Sequence, residues 1–355
     1  MRILITSPGP MYSTFDVYAG YAKALRKLGH DVRAFEYHKR LRFYNICLSA
    51  WGQQEESLNV PPNASQILAA EQVVVEAVDC VPDVVLIVTA MSMHRRAFEL
   101  LDRLCLPTAL LLTESPYEDE LQAKVVRKGG VDLTFTNERT SAEALEEATG
   151  VETIYLPHAY DPERHKPLDV GPGYQTDVFF HGTLWPKRKR LMNSLDGLPC
   201  CIKVGGIWPH ADNKKDATHN INSVIDNADM AKWYSGTKVA LNHHREFCMV
   251  GEEGERYLER GGAESLGPRA YEIAACGALQ LCDDTRAELD DIFGDSVATY
   301  ADADDLRSKV EYYLEHDLER QEMAREARER VRDCTFEARA ESILVPALET
   351  IALRR

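Results

Sequence analysis

The chain has 355 residues, 45% of them hydrophobic and 28% charged, with a formal net charge of −16. That length is about twice a usual domain and the composition is ordinary, so disordered and fibrous classes are excluded and two domains are expected. The acidic balance argues against unspecific binding to nucleic acid.

Apolar runs such as Val84–Val88 and Ala109–Leu112 are strand-sized, far short of the roughly 20 residues that span a bilayer. The start, MRILITSPGP, is too short in apolar residues for a secretory leader, and a cytoplasmic location is expected. Nine scattered cysteines without a Cys-x-x-Cys pair suggest neither a zinc site nor a disulfide framework.

In chain order, Arg2–Thr6 is a strand followed by the turn Ser7-Pro8-Gly9-Pro10. Phe15–Leu28 is a helix by its apolar spacing, ended by Gly29, and Val32–Phe35 is the next strand. A stretch without clear periodicity follows. Ser65–Val78 is helical, Val84–Val88 a strand, Arg95–Leu104 a helix, and Thr108–Leu112, Leu133–Thr136 and Thr153–Leu156 continue as strands. Continuous Val/Ile/Leu strands separated by helices imply a parallel sheet covered on both faces.

The rhythm breaks at Pro157–Gly173, where four prolines and two glycines fall within 17 residues. It resumes with a strand at Asp177–Phe180, a helix near Lys189–Leu195 and a strand at Cys201–Val204. Ala211–Asn227 reads as a polar loop, Val239–Leu241 as a strand, Pro268–Ala275 as a helix and Leu279–Cys282 as a strand. Three helices close the chain, over Ala303–Glu315, Leu318–Arg332 and Phe336–Leu353. The division is 1–160, 161–335 and a terminal helix, 336–355, packing back on the first domain. Both domains are doubly wound α/β folds, whose ligands bind at the carboxyl ends of strands, here in the cleft that the domains face.

Glu264-Ser265-Leu266-Gly267-Pro268-Arg269-Ala270-Tyr271-Glu272 is the most informative segment. Pro268 suits the first helical position and Gly277 the stop. The backbone N–H groups of Ser265, Leu266 and Gly267 then lead into a helix N-terminus, which favours an anion such as phosphate. Seven residues separate Glu264 from Glu272, and with the break at Pro268 the two can reach opposite ends of one ligand.

This segment, with Ala-Cys-Gly and an apolar strand after it, resembles the donor-site signature of retaining glycosyltransferases of the two-Rossmann (GT-B) fold. With Arg269 inside, it looks most like the spore-maturation-protein-like branch. The resemblance implies that Glu264 holds hydroxyls of the transferred sugar and Glu272 the ribose of a nucleotide. It also implies transfer with retention from a nucleotide diphosphate sugar, UDP-sugar favoured, with no metal and no other cofactor.

Gly182 and Thr183 follow the first strand of the second domain and precede four consecutive cations, Lys187–Arg190. By resemblance Arg188, or alternatively Lys189, stabilises the leaving diphosphate. Gly206 and Trp208 lie after the next strand, where the family lines the nucleotide base. Leu241-Asn242-His243-His244-Arg245 resembles another family segment and places His244 or Arg245 near the ligand. In the first domain, Ser13, Asp16, His94 and Glu114 are the acceptor-side candidates; Asp16 equally suits a helix start, and Glu114 stands where the branch has Asp. The segment 247–263 is long enough for a lid and equally suits a surface loop. Asp302-Ala303-Asp304 reads as a helix cap rather than a metal motif.

The acceptor stays open: a small molecule, a glycan or, as in viral enzymes, a hydroxymethylated DNA base, for which Lys39-Arg40-Leu41-Arg42, Arg95 and Arg96 offer basic spots. A nucleotide-sugar epimerase and a non-catalytic binding protein are the other readings. No membrane span is expected, and the oligomeric state is left open.

Overall fold

A computed structural model describes residues 1–9, 14–54, 61–89, 91–183, 186–206, 225, 227–250, 254–257 and 262–354. Contacts divide the chain into two units. The first comprises Met1–Pro157, Phe247–Leu258 and Phe336–Arg355, the second His158–Glu246 and Glu259–Thr335.

Six parallel strands form the sheet of the first unit: β1 (Arg2–Thr6), β2 (Asp31–Phe35), β3 (Val84–Val88), β4 (Thr108–Leu112), β5 (Leu133–Thr136) and β6 (Thr153–Tyr155), in the order β2-β1-β3-β4-β5-β6. Every residue of β3 and β4 is buried, as their unbroken Val/Ile/Leu/Ala runs require of strands covered on both faces. The core gathers residues such as Leu4, Val85, Ile87 and Leu110 with Val73 and Phe98 of the covering helices. Phe336, from the C-terminal segment, packs against Gly20 of helix Thr14–Lys27, where a Cβ would lie 2.3 Å from the ring. Glycine is what admits the ring there.

In the second unit the strands are β7 (Thr176–His181), β8 (Ile202–Gly205) and β9 (Thr237–Asn242). An antiparallel hairpin of β10 (Phe247–Val250) and β11 (Gly254–Tyr257) comes next in the chain and is grouped with the first unit. The second unit continues with β12 (Leu279–Asp283) and β13 (Ala298–Tyr300), and its parallel sheet has the order β13-β12-β9-β7-β8.

Alternation along β7 sorts its side chains to opposite faces. Val178 and Phe180 join Leu241 and Leu281 under helix Pro186–Ser194. Phe179 faces the other way, with Tyr234 and Ile273, and stacks on Trp233 at 5.2 Å. Both faces are apolar, so polar chemistry is left to the strand ends. Asp302 caps helix Ala303–Glu315, accepting the N–H groups of Asp304 and Asp305 at 3.0 and 2.9 Å.

The last expected helix is not uniform. It runs as α-helix over Phe336–Arg339, widens to a π-turn over Ala340–Leu344, and returns to α-helix over Val345–Ala352. Pro346 is the reason: it has no N–H to offer the preceding turn, and the ladder shifts so that Val345 donates to Ala340 instead.

Candidate active site

The carboxyl ends of β7 and β8 meet through glycines. Gly182 N–H donates to Gly205 C=O at 3.0 Å. Gly206 has φ +128°, and a Cβ on it would lie 2.2 Å from the Gly182 oxygen, so no other residue fits there. A Cβ on Gly182 would lie 3.2 Å from Arg188 Nη1 and 3.5 Å from Arg269 Nη1. Two guanidinium groups and the Phe180 ring, also 3.2 Å from that position, therefore meet over the Gly182 backbone at a strand end.

The four cations at the start of helix Pro186–Ser194 separate by direction. Lys187 Nζ lies 2.6 Å from each carboxylate oxygen of Glu246. Arg188 turns inward and is only 7% exposed. Its Nη1 donates to Thr183 C=O at 3.1 Å, its Nη2 to His243 C=O at 2.6 Å, and its guanidinium lies 5.6 Å from the Phe180 ring centroid. Arg188 thus fastens the end of β7 to the end of β9. Lys189 and Arg190 are exposed, which separates Lys189 from the inward position expected as its alternative.

At the ends of β9 and β12 a buried polar group forms around Asp283. Its Oδ2 accepts the His244 N–H at 2.6 Å and lies 3.0 Å from His244 Nδ1 and 3.3 Å from His243 Nδ1. Its Oδ1 accepts from the Thr285 N–H and hydroxyl, and His243 Nδ1 also lies 3.0 Å from the Tyr300 hydroxyl. Burial opposes the charge on Asp283, but the two imidazoles beside it outweigh burial and hold its carboxyl well below the usual carboxylate range. Burial lowers the pKa of His244; Asp283 pulls the other way and Arg286 adds to the lowering.

Arg286, also buried, donates through Nη2 to Arg245 C=O at 2.5 Å and through Nη1 to Ala263 C=O at 3.3 Å. One guanidinium so joins the loop carrying His244 to the loop carrying Glu264. Helix Pro268–Cys276 begins with Pro268 at its first turn after the extended Gly267, and ends on Gly277 at φ +83°.

The amides ahead of this helix do not all face outward. Leu266 N–H donates to Glu288 Oε2 at 2.6 Å, and its side chain lies in the core. The expectation that Leu266 contacts a ligand is corrected on both counts, because Glu288 Oε2 accepts the N–H that an anion was expected to accept. Ser265 is buried and Gly267 faces open space. Glu264 is half-buried, with its C=O accepting Glu288 N–H at 3.1 Å. Glu272 Oε1, on a side chain 21% exposed, is 3.9 Å from Nε2 of the buried His165.

The first-unit candidates are scattered. Asp16 lies in the first turn of helix Thr14–Lys27. His94 is used locally: its Nδ1 accepts Arg96 N–H and its Nε2 meets the Asn63 amide, both at 3.2 Å. Its ring thus lies beside the start of helix Arg96–Arg103. Glu114 follows β4, where its N–H donates to Gln122 Oε1 at 3.3 Å. Ser13 and Trp208 lie outside the described residues, as does most of the polar segment 211–227. Sequence reading missed Asp283, Arg286 and Glu288, and also a Ser7 Oγ–His38 Nδ1 contact of 2.8 Å at the ends of β1 and β2. Among the described residues no group of three or more His, Cys, Asp or Glu side chains is placed to hold a metal ion.

Residues 186–345, which contain Arg188, Gly206, His244, Glu264, Glu272 and Asp283 but not Gly182, match the family described as Glycosyl transferase-like. The chain has the GT-B fold, and its second half is similar to glycosyltransferases. A curated relative, the spore protein CgeB of Bacillus subtilis (strain 168), is 24% identical over 224 residues, covering 62% of this chain and 68% of the relative. Among solved structures, a sucrose-phosphate synthase from Thermosynechococcus elongatus aligns with a TM-score of 0.65 at 11% identity, over 99% of each chain. A trehalose-6-phosphate protein from E. coli bound with UDP-2-fluoro glucose aligns at 0.61 and 12% identity, over 98% of this chain and 99% of its own. A glycosyltransferase from Rickettsia africae ESF-5 aligns at 0.63 and 11%, over 99% and 98%. At these identities the solved structures bear on the fold alone. No helix of the described residues is long and apolar enough to cross a membrane.

Proposed function

We propose that the second unit binds a nucleotide diphosphate sugar, with UDP as the favoured nucleotide, and that the enzyme transfers the sugar with retention to an acceptor hydroxyl without a metal. The observation that carries this reading is the approach of Arg188 Nη1 and Arg269 Nη1 to Gly182 at a strand end. Two phosphates need concentrated positive charge, and the two guanidinium groups supply it there in an otherwise acidic protein. The UDP-2-fluoro glucose named for one similar fold supports the choice of nucleotide.

In the reaction, the bond between the anomeric carbon and the phosphate oxygen breaks while the acceptor oxygen bonds to the same face of that carbon. The acceptor proton passes to the departing phosphate oxygen, so no protein nucleophile is required. The protein contributes position and charge. Arg188 and Arg269 stabilise the leaving diphosphate, Glu264 orients the sugar, and Glu272, steadied by His165, takes the ribose. Arg188 is prepaid in orientation because two backbone carbonyls already hold it.

Arg269→Ala is expected to weaken UDP binding at least about tenfold, the value of one charge-assisted contact. Glu264→Gln is expected to abolish transfer while leaving UDP affinity within about twofold. Calorimetric titration of UDP and release of UDP from the sugar nucleotide measure the two effects. Full turnover in Glu264→Gln would sink the assignment.

Ion pairing weakens the DNA-base reading. Lys39 pairs with Glu36 at 2.6 Å, Arg95 with Glu99 and Arg96 with Glu71, each at 3.4 Å, so much of the basic character seen in the sequence is neutralised locally.

A further inference from the structure

His244 stands just beyond β9, 8% exposed, and its two ring nitrogens differ. Nδ1 faces Asp283 Oδ2 at 3.0 Å. An ionised carboxylate only accepts, so Nδ1 carries the ring proton and the lone pair sits on Nε2. Nε2 is buried and meets no hydrogen-bond partner among the described residues. Buried acceptors are rarely left so, and a neutral imidazole nitrogen in this tautomer calls for an O–H or N–H donor, not for a phosphate.

The surrounding charges favour that neutral form. Asp283, the strongest pull toward protonation, already spreads its charge over Thr285, His243 and the His244 backbone. Against it stand burial, the cation Arg286 from the segment after β12, and the neighbouring His243, while Arg188 from helix Pro186–Ser194 donates through Nη2 to His243 C=O. Tyr300, from β13, faces His243 rather than His244, and Glu246 is engaged with Lys187.

Position identifies the donor hydroxyl. Arg286 grips the carbonyl after His244 and the carbonyl before Glu264, so His244 shares a sub-site with the carboxylate assigned to the sugar. We propose that His244 Nε2 accepts a hydrogen bond from a hydroxyl of the transferred sugar, with Asp283 as the positioning residue that fixes the tautomer. This rests on the nucleotide-sugar reading above.

The test is calorimetric titration of the full chain with UDP, UDP-glucose, UDP-galactose, UDP-N-acetylglucosamine, GDP and GDP-mannose. For the pair that binds, the ratio of sugar-nucleotide to diphosphate affinity is followed in variants whose folding is checked by circular dichroism. His244→Phe should lower that ratio about tenfold, the worth of one buried hydrogen bond, with diphosphate affinity within about twofold. His244→Gln, whose Oε1 can take the place of Nε2, should restore much of it, and Asp283→Asn should reproduce the loss.

The wild-type enzyme supplies the same test without mutation: on acidification Nε2 gains a proton and cannot accept, so the ratio should fall while diphosphate binding holds. An unchanged ratio in His244→Phe, or with pH where that variant does not fold, overturns the proposal and leaves the donor site standing. Loss of diphosphate and sugar-nucleotide affinity together in a folded His244→Phe also overturns it, by placing His244 on phosphate. Wild-type enzyme that binds no compound in the panel overturns the donor reading and this inference with it.

Discussion

Gly206 shows how one residue can carry the geometry of a site. Its φ of +128° and the 2.2 Å clearance of a Cβ from Gly182 oxygen mean that Gly206→Ala must move the turn that packs against Gly182. The expected cost is at least about 1–3 kcal/mol, with lost UDP affinity in whatever folds; thermal melting and UDP titration measure it. The Gly205-Gly206 pair was visible in the sequence, as were Glu264, Glu272, Pro268 and Gly277, because each signals through its own backbone or its near neighbours. Asp283, Arg286 and Glu288 were not visible. Their partners, His244, Ala263 and Leu266, are 22 to 39 residues away, and nothing in a single sequence pairs a carboxylate with an imidazole or amide at that distance. The cation run was legible as a cluster, but only burial separates the inward Arg188 from the exposed Lys189.

Among the elements, strands such as β3 and β4 were legible, since they are apolar runs buried at every position, whereas β10, β11 and β13, of three or four residues each, were not read. Helix Tyr37–Gln54 was not: Tyr37 and Leu41 near its start enter the core while Phe43 and Ile46 are exposed, so no apolar stripe runs along it. Helices Asn227–Gly236 and Glu288–Phe293 were missed for a related reason, the first beginning in a polar stretch and the second being six residues long. Packing makes a sharp contrast here. Leu281 on β12 is fully buried and Leu318 is 85% exposed. Leu281→Ala should cost about 2–5 kcal/mol and Leu318→Ala under about 0.5. Urea midpoints for the two variants check the difference, and equal midpoints would contradict the assigned core.

The molecule as a whole should lose stability on mild acidification. His158 and His181 are each pushed down to about 4, by burial in both cases and for His181 also by the charge of Arg269. Between pH 6.5 and about 4 the unfolded chain binds protons at these residues and the folded chain does not, so stability falls with pH. The slope is at most about 1.4 kcal/mol per pH unit for each histidine. Asp283 acts elsewhere: its stabilisation is present above the ordinary carboxylate pKa and is lost only as pH falls through its lower folded value. Urea unfolding at pH 7 and pH 5 should therefore differ by a few kcal/mol, and equal stabilities would contradict the burial of these histidines. At this scale an acidic chain brings Arg188 and Arg269 together at one strand end, the proposed seat of a diphosphate. Calorimetric titration with UDP, GDP, ADP, CMP and TDP in the presence of EDTA tests it most directly. Saturable binding selective for one diphosphate, UDP foremost, and weakened by Arg269→Ala is the predicted result. No binding to any of the five would contradict it.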